Sequence, residues 1–129
     1  SGQSSVGASF SAPLETFSSQ ASVTLNLLEA IRAAKLATKI FNAGSGDCYG
    51  DTLGGAVTEK SFFKPKSPYG IAKAASIWQT ANYREAYKLF SCSGILFNHE
   101  SPLRPKNFVT KKIITFAKNI SNGIDKKLI

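Results

Sequence analysis

The stretch SPYGIAKAASIWQTANYREAY, residues 67–87, predicts a helix that carries a tyrosine in its first turn. Ser67 is a good helix cap and Pro68 suits the first turn, so we expect the helix to begin at Pro68 and to run to about Leu89. Its apolar side is predicted to consist of Ile71, Ala75, Trp78 and either Ala81 or Asn82. Tyr69 and Lys73 are separated by four positions and therefore share one face of this helix.

A tyrosine and a lysine on one helix face can form a catalytic pair. A phenol has an ordinary pKa of about 10, and a fixed positive charge nearby lowers that pKa because it favours the phenolate. Tyr69 could thus serve as a base near neutral pH, with Lys73 supplying the charge. The same spacing occurs by chance on many helices, so the pair alone does not decide between a catalytic site and a solvated surface.

The rest of the chain predicts an α/β fold with parallel strands. ATKIFNAGS (37–45) and LFSCSGILF (89–97) are short apolar runs typical of buried strands, and residues 50–67 form a polar connector between the first strand and the Tyr69 helix. FVTKKIITFAKNISNG (108–123) predicts a helix that stops at Asn122-Gly123. Residues 14–34 predict an amphipathic helix with an apolar stripe of Leu14, Phe17, Ala21, Leu25, Leu28 and Ile31. The order helix, strand, helix, strand, helix is typical of parallel sheets.

Polar side chains follow both predicted strands. Ser45 and Asp47 lie just beyond the first strand, where open α/β sheets bind their ligands, and Asn98, His99, Glu100 and Arg104 follow the second. The alternatives are a Gly/Ser/Asp turn chosen for backbone freedom and a polar surface loop. Because both clusters and the Tyr69 turn are predicted at one edge of the sheet, we favour a functional site there.

Composition limits the partners. The 129 residues are 43% hydrophobic, enough for a compact core, and carry a net charge of +8, which favours anionic partners such as nucleotides. Cys48 and Cys92 are far apart and are expected to be free thiols. A single histidine predicts no transition-metal site. No apolar run approaches the roughly 18 residues of a membrane span, so we expect a soluble, cytoplasmic protein without membrane association.

The stretches SPYGIAKAASIWQTANYREAY and CSGILFNHESPLRPKNFVTKKI closely resemble the GDP-mannose 4,6-dehydratases, members of the extended short-chain dehydrogenase/reductase superfamily. NYREAY with LFNHESP is specific to that family, whereas Tyr-x-x-x-Lys is shared by the superfamily. The resemblance implies a Rossmann-like fold, NADP as cofactor, and conversion of GDP-D-mannose to GDP-4-keto-6-deoxy-D-mannose. That reaction oxidises C4 of the sugar, eliminates water across C5 and C6, and returns the hydride to C6.

The resemblance also implies roles for individual residues. Tyr69 would take the C4 hydroxyl proton, while Lys73 would lower the pKa of Tyr69 and hold the nicotinamide ribose. Ser45 matches the position that bonds to the C4 oxygen, and Asp47 matches a glutamate that shuttles the C5 and C6 protons. The remaining matches are cofactor positions at His99 and Arg104 and nucleotide-sugar positions at Asn98, Val109 and Lys112.

Several positions depart from the family pattern. Asp47 is one methylene shorter than the family glutamate, Gly46 replaces a usual serine, and Ser5 stands where many members have histidine. The sequence also has no Gly-x-Gly-x-x-Gly turn between a strand and a helix, the feature that binds pyrophosphate in this fold. We therefore interpret residues 1–129 as a single partial domain from the middle of such an enzyme, inactive by itself.

Three other functions would be compatible with a small basic α/β chain. A non-catalytic assembly module would use helices 14–34 and 68–89 to form a homodimer or higher oligomer, because two strands cover little apolar surface. Nucleic-acid binding is disfavoured, since its candidate lysines are spread around a helix and a tail, where they suit a solvated surface: Lys106, Lys111, Lys112, Lys118, Lys126 and Lys127. A serine hydrolase using His99 is disfavoured because no Gly-x-Ser-x-Gly turn is present.

Overall fold

The structure is a computed structural model that describes residues 4–124. It consists of two compact units, Ser1–Phe97 and Asn98–Ile129. The first contains helices α1 (Val6–Ser11), α2 (Pro13–Phe17) and α3 (Val23–Ala33), strand β1 (Ile40–Ser45), helix α4 (Pro68–Tyr87) and strand β2 (Ser91–Leu96). The second contains helix α5 (Val109–Ser121). Apart from α1, which was not predicted, this order confirms the predicted succession of helices and strands.

The two strands pair in parallel, as predicted. The register runs from Ile40 opposite Ser91 to Ser45 opposite Leu96. Parallel neighbours need a crossover connection, and helix α4 lies within it. As a result, the carboxyl ends of β1 and β2 lie at the same edge of the sheet, and the residues that follow β1 enter the connector at that edge.

Helix α4 begins as the sequence predicts. The Ser67 side chain accepts a hydrogen bond from the backbone N–H of Gly70, and Pro68 occupies the first turn. The helix ends at Tyr87, two positions before the predicted Leu89, because Lys88 takes up a left-handed conformation with φ of 58°.

The predicted apolar side of α4 is wrong. Ile71 and Trp78 are 50% and 61% exposed, and the buried side is formed mainly by small or polar side chains. The reason is a close approach of the helix to the sheet, since a Cβ atom on Gly44 of β1 would lie 2.8 Å from Ile77 Cδ1. Apart from Tyr69, the buried residues of α4 have small side chains, and they are Gly70, Ala72, Ala74, Ser76 and Thr80. Of the other predicted members, Ala75 and Ala81 are half-buried and Asn82 is exposed.

The predicted helix over 14–34 is divided by a π-helical turn, Ser18–Ser22. Ala21, Leu28 and Ile31 are buried as predicted, but Leu14, Phe17 and Leu25 are exposed. A π turn contains more residues than an α turn, so it rotates the positions before it relative to those after it. Thr16 is therefore buried in α2 in place of its apolar neighbours.

Helix α1 was missed because its sequence, VGASFS, has only six residues and few strong helix formers. The side chain of Ser5 caps it by accepting a hydrogen bond from the N–H of Ala8. The opening stretch SGQSSVG has a composition typical of a loop, yet Val6 and Gly7 are helical. Residues 1–3 of that stretch lie outside the described residues.

The second unit contains α5 and the loop before it. The helix ends at Ser121 and is followed by Asn122 and by Gly123 with φ of 72°, which confirms the predicted stop. The Lys111 ammonium donates a hydrogen bond of 2.9 Å to the carbonyl oxygen of Pro102 in that loop. Within residues 4–124, none of the helices combines the length and apolar character that crossing a membrane requires.

Candidate active site at the carboxyl end of the first strand

Ser45 and Asp47 form a hydrogen-bonded pair where β1 ends. Ser45 is the last residue of β1 and is buried, and a short 3-10 turn, Gly46–Tyr49, follows it. The Ser45 hydroxyl donates a 2.8 Å hydrogen bond to Asp47 Oδ2 and accepts one of 3.2 Å from the Asp47 N–H. These two residues, predicted to share the strand end, thus form a hydroxyl–carboxylate pair held by its own turn.

The start of α4 packs directly on this turn. A Cβ atom on Gly70 would lie 2.7 Å from the backbone oxygen of Asp47, so only glycine fits at that position without movement. The Cys48 thiol lies 3.8 Å from the carbonyl oxygen of Gly70. Tyr69, which precedes Gly70, is 9% exposed. The first turn of α4, which carries Tyr69, therefore lies against the turn that follows Ser45.

Lys73 lies between β1 and Tyr69. Its Nζ donates a hydrogen bond of 2.9 Å to the carbonyl oxygen of Ala43 and lies 5.7 Å from the centre of the Tyr69 ring. Partial burial lowers the pKa of Lys73, because removal from water disfavours the ammonium. The structure brings the ammonium and the tyrosine ring together, as their four-residue spacing predicts.

Cys48 is a further ionisable group near this strand end. Burial raises the pKa of its thiol to about 11, so the group is a neutral thiol at physiological pH. The prediction of free thiols is confirmed for both Cys48 and Cys92. Because the thiolate is the nucleophilic form, the site is equipped for proton transfer rather than for thiol chemistry.

The side chains near the carboxyl end of β1 are groups that can act as acids or bases. A hydroxyl, a carboxylate, a phenol and an ammonium can together remove and return protons on a substrate. Across the residues for which positions are given, 4–124, no group of three or more histidine, cysteine, aspartate or glutamate residues could hold a metal ion.

The remaining predicted site residues belong to the second unit. Asn98 and His99 are exposed, while Arg104 is half-buried, stacks 3.8 Å above the Phe108 ring centre and lies 3.3 Å from the Glu100 carboxylate. The other two, Val109 and Lys112, are exposed residues of α5 and, three positions apart, lie on one face of that helix. Their binding roles stay predictions.

The sequence analysis missed two parts of this region. Asn42, on β1, hydrogen-bonds to hydroxyl groups on both β2 and α4, and the carbonyl oxygen of its neighbour Ala43 holds Lys73. The sequence contains a signal for this network, since Asn42 is the single amide in the apolar run IFNAG and a buried amide needs hydrogen-bond partners. The second missed feature is an open surface cavity of about 370 Å³ along the connector, lined from Tyr49 to Lys64.

Comparison with known proteins identifies the family of the chain. The family model described as GDP-mannose 4,6 dehydratase matches residues 1–129. The chain is 45% identical over 130 residues to GDP-mannose 4,6 dehydratase 1 of Arabidopsis thaliana, and the match covers 98% of this chain and 36% of the relative. The chain thus spans about a third of the length of the curated relatives it matches.

Two solved structures have the same fold. RMD from Pseudomonas aeruginosa, complexed with NADPH, superposes with a TM-score of 0.88 at 24% identity, covering 98% of this chain and 44% of its own. The UDP-glucose 4-epimerase of Thermus thermophilus, complexed with NAD, has a TM-score of 0.81 at 28% identity, covering 99% of this chain and 42% of its own. These similarities confirm the partial Rossmann-like fold. Because the family match covers the entire sequence, the chain belongs to the GDP-mannose 4,6 dehydratase family.

Proposed function

We propose that this chain supplies the acid–base centre of a GDP-mannose 4,6-dehydratase, which converts GDP-D-mannose to GDP-4-keto-6-deoxy-D-mannose with NADP. The proposal is supported by two pairs on neighbouring segments: the Ser45–Asp47 pair at the end of β1 and the Tyr69–Lys73 pair on α4, whose Gly70 packs on the backbone of Asp47. The name of the Arabidopsis relative specifies GDP-mannose, and the Pseudomonas structure contains NADPH.

Tyr69 and Lys73 act in the first step. The Tyr69 phenolate takes the proton of the C4 hydroxyl while the hydride leaves C4, so that C4 becomes a ketone. Lys73 favours the phenolate because its ammonium lies over the same ring. Burial near Tyr69 reduces the competition of water for both groups, which strengthens their interaction.

Ser45 and Asp47 act on the sugar. The Ser45 hydroxyl bonds to the C4 oxygen, and the Asp47 carboxylate removes the C5 proton and protonates the departing C6 hydroxyl, which leaves as water. Hydride delivered to C6 would be accompanied by protonation of C5 from Asp47, which would regain through solvent the equivalent of the proton that Tyr69 took from the C4 hydroxyl. In the structure the Ser45 hydroxyl donates its hydrogen bond to Asp47. Because a hydroxyl has a single O–H, the Asp47 carboxylate and the C4 oxygen of a bound sugar would share this donor.

NADP, when bound, would accept the hydride from C4 and later donate it to C6. The Lys73 ammonium fits the predicted ribose contact, since its bond to Ala43 uses one of three N–H donors. His99 and Arg104 are the further proposed cofactor residues, and Asn98, Val109 and Lys112 the proposed nucleotide-sugar residues. The charge of +8 suits the pyrophosphate groups of both ligands.

Turnover requires more polypeptide than these residues. Residues 1–129 contain no Gly-x-Gly-x-x-Gly turn before a helix, whose backbone N–H groups bind pyrophosphate in this fold. We therefore propose that residues 1–129 form a single partial domain and are inactive by themselves. A cytoplasmic location is part of the same proposal.

Self-association is a separate part of the proposal. The predicted interface helices expose large apolar side chains, among them Leu14 and Phe17 of α2 and Ile71 and Trp78 of α4. A homodimer or higher oligomer would cover this surface. Light scattering of the chain at micromolar concentration is expected to give at least a dimer, and a stable monomer would contradict this part. The comparisons give no support to assembly as the chain's only function.

The test of catalysis is a hybrid enzyme in which residues 1–129 replace the matching segment of the Arabidopsis relative. The hybrid is expected to dehydrate GDP-mannose, and Tyr69→Phe is expected to remove that activity. Tyr87→Phe is the matched control, because Tyr87 is an exposed tyrosine at the far end of the same helix. A hybrid that binds NADP and GDP-mannose and keeps its activity after Tyr69→Phe would refute the proposed function.

A further inference from the structure

Lys73 is linked to β1 directly through its ammonium and indirectly through Ser76 of its own helix. Its ammonium donates to the carbonyl oxygen of Ala43, and its own carbonyl oxygen accepts a 2.8 Å hydrogen bond from the Ser76 hydroxyl. That hydroxyl in turn accepts a hydrogen bond of 3.3 Å from Asn42 Nδ2. Asn42 and Ala43 are adjacent in β1, so one dipeptide of the strand is hydrogen-bonded to the Lys73 ammonium directly and to the Lys73 backbone through Ser76.

The Asn42 amide also fixes the strand to its neighbour. Nδ2 donates a second hydrogen bond, of 3.0 Å, to the Ser93 hydroxyl, and Ser93 lies opposite Asn42 in the parallel register. The amide is half-buried and Ser76 is 1% exposed. Loss of the amide would leave the Ser76 hydroxyl with one partner fewer in a site that water barely reaches, where an unmade hydrogen bond is costly.

We infer that Asn42 is a positioning residue for Lys73: through Ser76 it fixes the segment of α4 from which the ammonium reaches Ala43 and the Tyr69 ring. The inference rests on the proposed function, because the position of Lys73 matters for catalysis only if Lys73 acts on Tyr69. Asn42 itself is hydrogen-bonded to Ser76 and Ser93, and its part in catalysis is exerted through Lys73.

The two acceptors of Asn42 allow a matched comparison. Ser76→Ala removes the link from Asn42 towards Lys73 and leaves the link to β2. Ser93→Ala removes the link to β2 and leaves the link towards Lys73. A purely structural role for Asn42 predicts similar effects of the two variants, whereas a positioning role predicts that Ser76→Ala alone reproduces Asn42→Ala at Lys73.

The first readout is the ¹H–¹⁵N signal of the Lys73 ammonium in the 129-residue chain, assigned by its loss in Lys73→Met. The bond to Ala43 slows hydrogen exchange, so the signal is expected in the unaltered chain. It is expected to shift or disappear in Asn42→Ala and Ser76→Ala and to persist in Ser93→Ala. This readout needs no activity, so it can fail or succeed independently of the proposed function.

The second readout is catalysis by the hybrid enzyme. A misplacement of about 1 Å can cost about a hundredfold in rate, so Asn42→Ala and Ser76→Ala are expected to lower kcat by ten- to a hundredfold with little change in KM. Ser93→Ala is expected to change kcat by less than about threefold on the same reasoning. If Asn42→Ala fails to fold, Ser76→Ala against Ser93→Ala decides the question. An unchanged Lys73 signal in Ser76→Ala, or equal effects of both serine variants, would overturn the inference.

Discussion

The Tyr83 hydroxyl donates a 2.8 Å hydrogen bond to the Glu29 carboxylate and thereby joins α4 to α3. Arg32, one turn along α3, donates two further hydrogen bonds to the same carboxylate and stacks over the Tyr87 ring at 5.1 Å. The bond from Arg32, together with that from Tyr83, holds the pKa of Glu29 at about 2. The ionised carboxylate thus stabilises the contact between the two helices more than the neutral acid does.

The acid stability of the chain tests this contact. The folded pKa of Glu29 lies below its ordinary value of 4.5, so its contribution to folding is complete above that value and is lost as pH falls through about 2. Glu29→Gln is therefore expected to lower the urea midpoint at pH 7, and the difference from the unaltered chain should narrow towards pH 2.

The matched control for Glu29 is Glu85→Gln, since Glu85 is 3.5 Å from Arg84 at the surface of α4. Exposed ion pairs contribute little to stability, so this variant is expected to change the midpoint much less. A Glu29→Gln difference that stays constant from pH 7 to pH 2 would contradict the assigned role.

Gly50 is predicted to be required for the close packing of the connector, residues 50–67, on the turn that carries Asp47. Gly50 has φ of 68°, and a Cβ atom there would overlap the carbonyl oxygen of Lys64. Gly54 also has positive φ, at 79°, but a Cβ atom there would meet nothing within 4 Å. Gly54→Ala is thus expected to cost about 1–2 kcal/mol of unfolding free energy from backbone strain alone.

Gly50→Ala is expected to cost about 1–3 kcal/mol more than Gly54→Ala, because overpacking adds to the strain. The backbone N–H of Lys64 donates to Cys48, so the clash would also loosen the turn that carries Asp47. Urea unfolding of both variants measures the difference. Equal losses of unfolding free energy in the two variants would contradict the prediction, because they would show that the connector moves away from the added methyl group without destabilising the fold.

Asp47→Glu is predicted to improve catalysis in the hybrid enzyme. The family glutamate is one methylene longer, and a reactive group misplaced by about 1 Å can cost about a hundredfold in rate. We expect Asp47→Glu to raise kcat by up to about that factor, and Asp47→Asn to abolish elimination while leaving cofactor binding intact. Equal or lower kcat in Asp47→Glu would show that the chain already compensates for the shorter side chain.

Much of the fold could be predicted because helix caps, prolines and apolar runs in the sequence mark the same elements that the structure contains. The cap at Ser67, the proline after it and the two apolar runs at 37–45 and 89–97 each indicated an element that the structure contains. The parallel pairing followed from the order of elements. The Ser45–Asp47 and Tyr69–Lys73 contacts could be predicted as well, since both depend on spacing within a single turn or helix.

The errors concern which side chains meet across elements. The buried side of α4 is set by its close approach to Gly44, and hydrophobic periodicity favours large residues such as Ile71 and Trp78 instead. The π turn at Ser18–Ser22 changes the helical phase without a sequence signal strong enough to locate it. The link from Asn42 to Ser76 joins residues 34 positions apart, so only the folded structure reveals it.

The central claim is that the Lys73 ammonium favours the Tyr69 phenolate. Tyrosine labelled with ¹³C at Cζ reports each phenol separately, and Tyr69→Phe assigns the signal of interest. Burial raises the pKa of Tyr49, and the hydrogen bond to Glu29 raises the pKa of Tyr83, so those two phenols ionise above the ordinary range. The account predicts that the Tyr69 phenol ionises at lower pH in the unaltered chain than in Lys73→Met. An identical ionisation midpoint in the two proteins would contradict it.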